Sequence, residues 1–532
     1  METNCTYTSY EQTGFFSRIV TDYLAGHQQL KPFYQYTPDI DGIKAALADR
    51  QHVNYNRPAL VNALRTQYEH LTHHHKVAAN LDLLLQPHTF VITTAHQPNI
   101  FTGPLYFIYK ILHAIQLADK LSQQLPDYNF VPVYYMGSED ADLDELGQTY
   151  INDKPYVWQT KQTGAVGRMK VDKAFLSLID GIESQIAVLP YGKELTEIFR
   201  QAYKQGSTIQ EATLAVTNAL FGKYGLIVVI PDNPALKALY KPVIQKELQE
   251  QFSYKIVSDT AEQLDQHYKV QAGGRELNLF YLIDDKRERI EKINDTYVVN
   301  NLGLHFTAET ILKELDEHPE RFSPNVILRG ALQETILPGV AFIGGGGELA
   351  YWLELKNVFA AVNVPYPVLV LRNSFLVVEE EWAEKTKQLQ LKLDDLFKPE
   401  HDLMNMVVAL HSANTVRLNG ELDKIDELYK TITERAALVD STLHDHVMAL
   451  KTRALQRLEE LEKKMIRAEK RKFSMELERI RKIKAVLFPS DSLQERRENI
   501  AGLYGLYGAE LLDVLLQNSL TLEQQFGILE IK

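Results

Sequence analysis

The chain of 532 residues has one cysteine, Cys5. An internal disulfide is therefore excluded, and the place of Cys5 in the N-terminal segment argues against a nucleophilic role. No stretch approaches eighteen successive apolar residues, so no membrane-spanning helix is expected. The first thirty residues lack both a basic start followed by an apolar core and a small-residue cleavage site, which makes the cytoplasm the expected location. Cations are outnumbered: 57 Lys and Arg against 70 Asp and Glu give a formal net charge of -13. That excludes broad nucleic-acid binding, which needs clustered cations to displace counterions. The signature G-x-x-x-x-G-K-[ST] is also missing, and "GGGGELA" does not fit G-x-G-x-x-G, so a standard P-loop or NAD site is disfavoured.

What is present is a composition, 45% hydrophobic and 24% charged, that supports a large globular core. Residues 1–85 read as mainly helical. Beyond them, strand-like and helical runs alternate. "TFVITT" is short, β-branched and bounded by turn formers, so it predicts a buried strand followed by a helix from Pro104 to about Leu121. "FVPVYYMGSED" predicts a second strand, and "YGLIVVIPDNPALKALYKPVIQKEL" a third with its helix. "GVAFIGGGGELAYWLELKNVFAAVNVPYPVLVLRNS" reads strand, glycine turn, helix, strand. The fold class is α/β: a mostly parallel sheet with helices on its faces and ligands at the carboxyl ends of its strands. "NLFYLIDDKRERIEKINDTYVV" alternates like antiparallel strands, so residues 150–325 are expected to hold an insertion in a core spanning 1–378.

From residue 379 the character changes to long charged stretches with helical periodicity. Leu443, Val447, Leu450, Ala454, Leu458, Leu461, Met465 and Ala468 recur at intervals of four and three, which predicts a coiled-coil hairpin over 379–485. An arm of forty residues would run roughly 60 Å and must pair with a helix of its own chain or of a second subunit. Residues 451–485 hold thirteen Lys and Arg against six Glu, read as a solvated helical face rather than a phosphate- or partner-binding surface. Residues 486–532, with proline, glycine and fresh apolar content, are expected to return to a globular region.

Three constellations carry possible chemistry. In "VITTAHQPNIFTGPLYFIYK" the strand ends at His96, and Gln97, Asn99, Thr102 and Gly103 follow before the helix, with Thr102 able to cap and Pro104 suited to the first turn. His can exchange a proton near neutral pH, and the amides can orient phosphate or carboxylate oxygens. In "MGSEDADLDEL" the residues Glu139, Asp140, Asp142, Asp144 and Glu145 can bind magnesium or an ammonium group, or simply begin a helix capped by Ser138. In the glycine turn, Gly344 to Gly347, with Gly345 and Gly346 central, let the backbone approach a ligand, with Glu348, Tyr351 and Trp352 on the helix behind. Arg329 and Arg372 flank that unit and suit carboxylates, or structural ion pairs. Helical spacing of His70 and His74 in "HLTHHHK" offers a metal pair, but no carboxylate or cysteine partner stands out and no native metal site is expected.

Taken in order, "HQPNIFTGPLYFIYK", "VPVYYMGSEDADLDEL", "NLFYLIDDKRERI", "GGGGELAYWLELKNVF" and "LFPSDSLQER" resemble the bacillithiol biosynthesis cysteine-adding enzymes, a family of cysteine ligases. The resemblance implies a Rossmann-like core with inserted elements, a coiled-coil domain and homodimers formed through it. It implies a ligase that joins L-cysteine to glucosaminyl malate in the last step of bacillithiol biosynthesis, without nucleic-acid or membrane partners. Ala95 stands where the family has glycine, and Ala141 where it has histidine after the Glu-Asp pair, which removes a possible acid or base. Joining a carboxylate to an amine requires activation, so ATP or another nucleotide with Mg2+ is expected, acting on the cysteine carboxylate. On this reading His96, Glu139 and Asp140 are the catalytic candidates. Gln97, Asn99, Thr102, Gly103, Asp142, Arg329, Gly345, Gly346, Glu348, Tyr351 and Arg372 are the substrate or nucleotide contacts. Two other readings remain: a nucleotidyltransferase acting on another small molecule, and a coiled-coil scaffold.

Overall fold

A computed structural model describes residues 1–271, 273–412 and 418–532. The chain forms two compact units: residues 1–376 with 492–529, and residues 377–491 with 530–532.

The first unit is built on five strands: β1 (Thr89–His96), β2 (Asn129–Met136), β3 (Ile227–Val229), β4 (Gly339–Gly344) and β5 (Val368–Leu371). They pair in the order β5-β4-β1-β2-β3, and every pairing is parallel. This is the doubly wound order, in which the chain leaves β1 to one side and later returns to the other. All eight residues of β1 are buried, as expected of a strand covered on both faces. On one face Phe90, Ile92, Ala341, Ile343, Val368 and Val370 pack against Ile43, Ala46 and Leu47 and against Ala114, Leu117 and Leu121. The last three lie on helix α1 (Tyr106–Gln124).

The interval 150–325 is not a single insertion, because β3 runs through it as the edge of the sheet. The alternation of "NLFYLIDDKRER" does form a hairpin: Leu279–Ile283 pairs antiparallel with Lys286–Arg289, and Phe322–Pro324 adds to its other side. Helices α2 (Val326–Ile336) and α3 (Gly346–Trp352) flank β4. Cys5 sits in a strand, Thr3–Thr8, and is half-buried. His70 and His74 share no helix, since the helix at that point starts only at His75. No helix among the described residues is long and apolar enough to cross a membrane.

In the second unit α4 (Asn419–Val439) and α5 (Leu443–Lys470) form the antiparallel helical pair. With 28 residues, α5 is roughly 42 Å long, shorter than the expected arm. Val447 is buried, and Ala454, Leu458 and Met465 are half-buried, but Leu443, Leu450, Leu461 and Ala468 are exposed. The seam toward α4 is rotated to take in Lys451, which bonds Asp426 at 2.7 Å. Leucines at 450 and 461 therefore belong to the outer face rather than to the seam within the chain.

The loop after β1 is tied down from far along the sequence. Phe101 and Thr102 have φ of 51° and 73°, left-handed backbone that non-glycine residues adopt only under constraint. The Asn499 amide supplies it, donating to the carbonyls of Phe101 (2.7 Å) and Gly103 (2.6 Å). Gly103 itself has φ 62°, and a Cβ there would lie 2.7 Å from that of Asn99. Replacing Asn499 by Ala leaves two buried carbonyls without donors and is expected to cost roughly 2–4 kcal/mol. Urea unfolding of the full chain reads this as a lowered midpoint, and an unchanged midpoint contradicts it.

Candidate active site

In doubly wound sheets ligands sit beyond the carboxyl ends of the strands, where neighbouring connections part to opposite faces. Here that point lies between β1 and β4. A cavity of about 680 Å³ opens there, lined among others by Ala95, His96, Gln97, Gly345, Gly346 and Gly347. The opening loop and the glycine turn, far apart in sequence, thus face one space.

His96 closes β1 and is only 8% exposed. Its ring lies edge-on to Tyr106 and tilted against Phe107, both at 5.3 Å. Burial, then the charges of Lys110 and Arg372, hold its pKa well below the usual histidine range. The imidazole is neutral, and its Nε2 is buried with no hydrogen-bond partner among the described residues. Next to it Lys110, on the first turns of α1, donates to the Ala95 carbonyl at 2.8 Å and pairs with Glu348. Burial lowers the Lys110 pKa, and Glu348 opposes that shift. Glu348 also accepts the Gly345 N–H at 2.8 Å, which fixes the turn entering α3.

The acidic turn splits by role. Glu139 is buried, paired with Lys237 and accepting the Ser323 hydroxyl at 2.9 Å. With both partners in place it holds the wall together rather than standing free as an acid or base. Asp140 lines the cavity and accepts the Gln97 amide at 3.2 Å. Glu145 lines it too, its pKa raised by burial and by Asp142 and Asp140. Neither has an ion-pair partner among the described residues. Asp142 is exposed and caps the turn Leu143–Leu146 by accepting the Glu145 N–H at 3.1 Å; it does not line the cavity, and Ser138 does not cap. Among the described residues no three His, Cys, Asp or Glu side chains gather as a metal-binding set.

Of the two flanking arginines, Arg329 lines the cavity and donates to the Tyr351 hydroxyl at 2.7 Å, with no carboxylate paired to it among the described residues. Arg372 also lines the cavity but is bound at both ends by the buried Glu495, at 2.7 and 3.0 Å. Its charge is already matched. Sequence reasoning missed Lys110, Arg287 and Arg496, all on the wall. The signal was there: Lys110 ends the quoted loop segment, Arg287 lies in "DDKRERI" and Arg496 in "SLQER". Isolated cations read as surface until the fold gathers them, even Lys110 within its apolar run.

Asn99, Thr102 and Gly103 lie off the wall. Thr102 does not cap α1, which starts at Tyr106 with Leu105 before it; the left-handed turn at Phe101 and Thr102 turns the chain away first. Their part is to shape the loop that presents His96 and Gln97.

Comparison with known proteins covers the whole chain. The description "Bacillithiol biosynthesis BshC, N-terminal Rossmann-like domain" matches residues 1–373, and "Bacillithiol biosynthesis BshC, C-terminal coiled-coil domain" matches residues 375–531. A protein of Flavobacterium johnsoniae named "Putative cysteine ligase BshC" is 39% identical over 100% of both chains. Proteins of the same name from Christiangramia forsetii and Cytophaga hutchinsonii are 37% and 38% identical over 99% and 94% of both chains.

The buried neutral imidazole has a signature in stability. An unfolded histidine titrates near pH 6.5, and folded His96 well below it. Its contribution is complete above about pH 6.5 and is lost as pH falls from there toward the folded value, by roughly 1.4 kcal/mol per unit. Denaturant unfolding at pH 7 and 5.5 is expected to show this slope in the wild type and less of it in His96→Gln. Equal slopes would place His96 in a solvated setting.

Proposed function

The chain belongs to the bacillithiol biosynthesis BshC family of cysteine ligases, and on that premise we propose that its cavity joins L-cysteine to glucosaminyl malate in the last step of bacillithiol biosynthesis, in the cytoplasm. The observation that carries the reading is His96: a neutral imidazole whose Nε2 has no partner among the described residues, on a wall that also holds carboxylates and guanidinium groups with no ion-pair partner among them.

Amide formation needs an amine that has lost its proton and a carboxyl whose oxygen can leave. The amine nitrogen of glucosaminyl malate attacks the cysteine carboxyl carbon; the C–N bond forms, the C–O bond breaks, and the amine proton goes to His96 Nε2. Asp140 and Glu145 face the cysteine ammonium. Arg329 attracts negative charge at the reacting end. The residues fit an anionic activator: Gly345, Gly346 and Gly347 border the cavity, a Cβ on Gly347 would have nothing within 4 Å, and Arg329 and Arg496 have no carboxylate partner among the described residues. We assign those residues to the phosphates of ATP or a similar nucleotide carrying Mg2+. Its chemistry would be to turn the cysteine carboxylate oxygen into a leaving group.

We further propose a homodimer through the second unit. Leu428, Leu450 and Leu461 are 56%, 42% and 46% exposed on α4 and α5, more apolar surface than a solvated hairpin needs.

The full chain, supplied with L-cysteine, glucosaminyl malate, ATP and Mg2+, is expected to yield the thiol product by mass spectrometry. His96→Gln is expected to lower kcat about 10²- to 10⁴-fold. Pyrophosphate release that is independent of cysteine would favour nucleotidyl transfer to another molecule, and unchanged cellular bacillithiol after gene deletion would overturn the assignment. For assembly, Leu450→Glu with Leu461→Glu leaves the seam within the chain intact, so light scattering is expected to show monomer mass in place of dimer. A wild type that is itself monomeric contradicts the proposal.

A further inference from the structure

Arg287 is not among the residues that the sequence motifs single out for chemistry, yet its guanidinium is fixed on the wall without a carboxylate among the described residues to fix it. It comes from the hairpin strand Lys286–Arg289. Its Nε donates to the Ser323 hydroxyl at 3.0 Å and its Nη2 to the Pro324 carbonyl at 2.9 Å. The plane lies 4.0 Å from the ring centre of Phe280. These contacts occupy one edge and one face. Nη1 has no partner among the described residues, and the side chain lines the cavity.

Why this arginine stays uncompensated is itself visible. Ser323, fully buried, accepts from Arg287 and donates onward to Glu139 Oε2 at 2.9 Å. Glu139 is the carboxylate one hydroxyl away that would otherwise pair with the guanidinium. Lys237, fully buried on the helix Pro234–Ala238, pairs with Glu139 instead, and is fixed by donating to the Glu320 carbonyl at 2.8 Å. The chain Lys237, Glu139, Ser323, Arg287 therefore cancels the local carboxylate and aims a preorganised fork.

We infer that Arg287 is the residue of the cavity that receives a carboxylate of the acceptor substrate, on its free Nη1 edge, with Ser323 and Lys237 as positioning residues that keep Glu139 from occupying it. The identity of that anion as a malate carboxylate rests on the ligase reading; the charge it must carry rests on this wall alone.

The experiment uses the full chain and L-malate as probe, with binding read by calorimetry beside the ligation assay. Arg287→Gln is expected to weaken malate binding at least about tenfold, the scale of a charge-assisted hydrogen bond, and to raise KM for glucosaminyl malate more than it lowers kcat. Lys237→Met is expected to weaken malate binding as well, because Glu139 is released toward Arg287. Adding Glu139→Gln to Lys237→Met is expected to restore it, a rescue that general loss of packing would not show. The inference is overturned by wild type that binds no malate, by Arg287→Gln binding like wild type, or by a folded Lys237→Met protein that Glu139→Gln does not rescue. Should Lys237→Met fail to fold, the Arg287→Gln arm decides alone. Malate binding through Arg287 without any ligation would sink the ligase reading and leave this one standing; ligation with an unaltered KM in Arg287→Gln would do the reverse.

Discussion

The site depends on one buried ammonium. Lys110 reaches from α1 to the Ala95 carbonyl on β1 and to Glu348 on α3, and Glu348 in turn holds the Gly345 amide. Strand pairing alone brings β1 beside β4, but it leaves the loops beyond them free to diverge. The lysine joins the two loops across that gap. Removing a buried charge from water is costly, and that cost is offset only when both the carbonyl and the carboxylate are in place. The wall is thus an all-or-none arrangement in which His96 and the glycine turn are fixed together.

Charge on the wall is sorted by a similar rule. Carboxylates that serve structure are taken by lysines or arginines: Glu139 by Lys237, Glu348 by Lys110, Glu495 by Arg372. What is left over is a pair of acids, Asp140 and Glu145, and the arginines 287, 329 and 496. A cavity whose surplus charges are of both signs offers contacts to ammonium and anionic groups alike.

Much of this was readable from the chain. The short β-branched runs, the glycine turn and the helical stretch after residue 379 were enough for a mostly parallel α/β sheet with a coiled-coil hairpin, because burial on both faces of a parallel strand leaves a strong local mark; that the core is Rossmann-like came from the family resemblance. His96, Gln97, Asp140, Gly345, Gly346, Glu348, Tyr351 and Arg329 all reach the cavity, since strand ends are where such folds hold ligands. What was not readable depends on partners distant in sequence. Nothing local to Arg372 announces Glu495, and nothing local to Thr102 announces that Asn499 will draw it into a left-handed turn. Which apolar positions of α5 turn to α4 was unreadable for a related reason: Leu450 and Leu461 share the four-and-three pattern with Val447 and Leu458, but the face turned to α4 is chosen by the other helix.

Asn499 reaches the β1 loop across 398 residues of sequence, and Arg372 waits 123 residues for Glu495. Both late partners follow the helical hairpin of the second unit. During vectorial synthesis the five strands emerge and can pair well before either tether exists. A chain cut short anywhere in the helical hairpin would keep its sheet but present an unfinished pocket, with a buried guanidinium lacking its counter-charge. The architecture therefore works as a late check, in which a segment made after the helical hairpin closes the pocket.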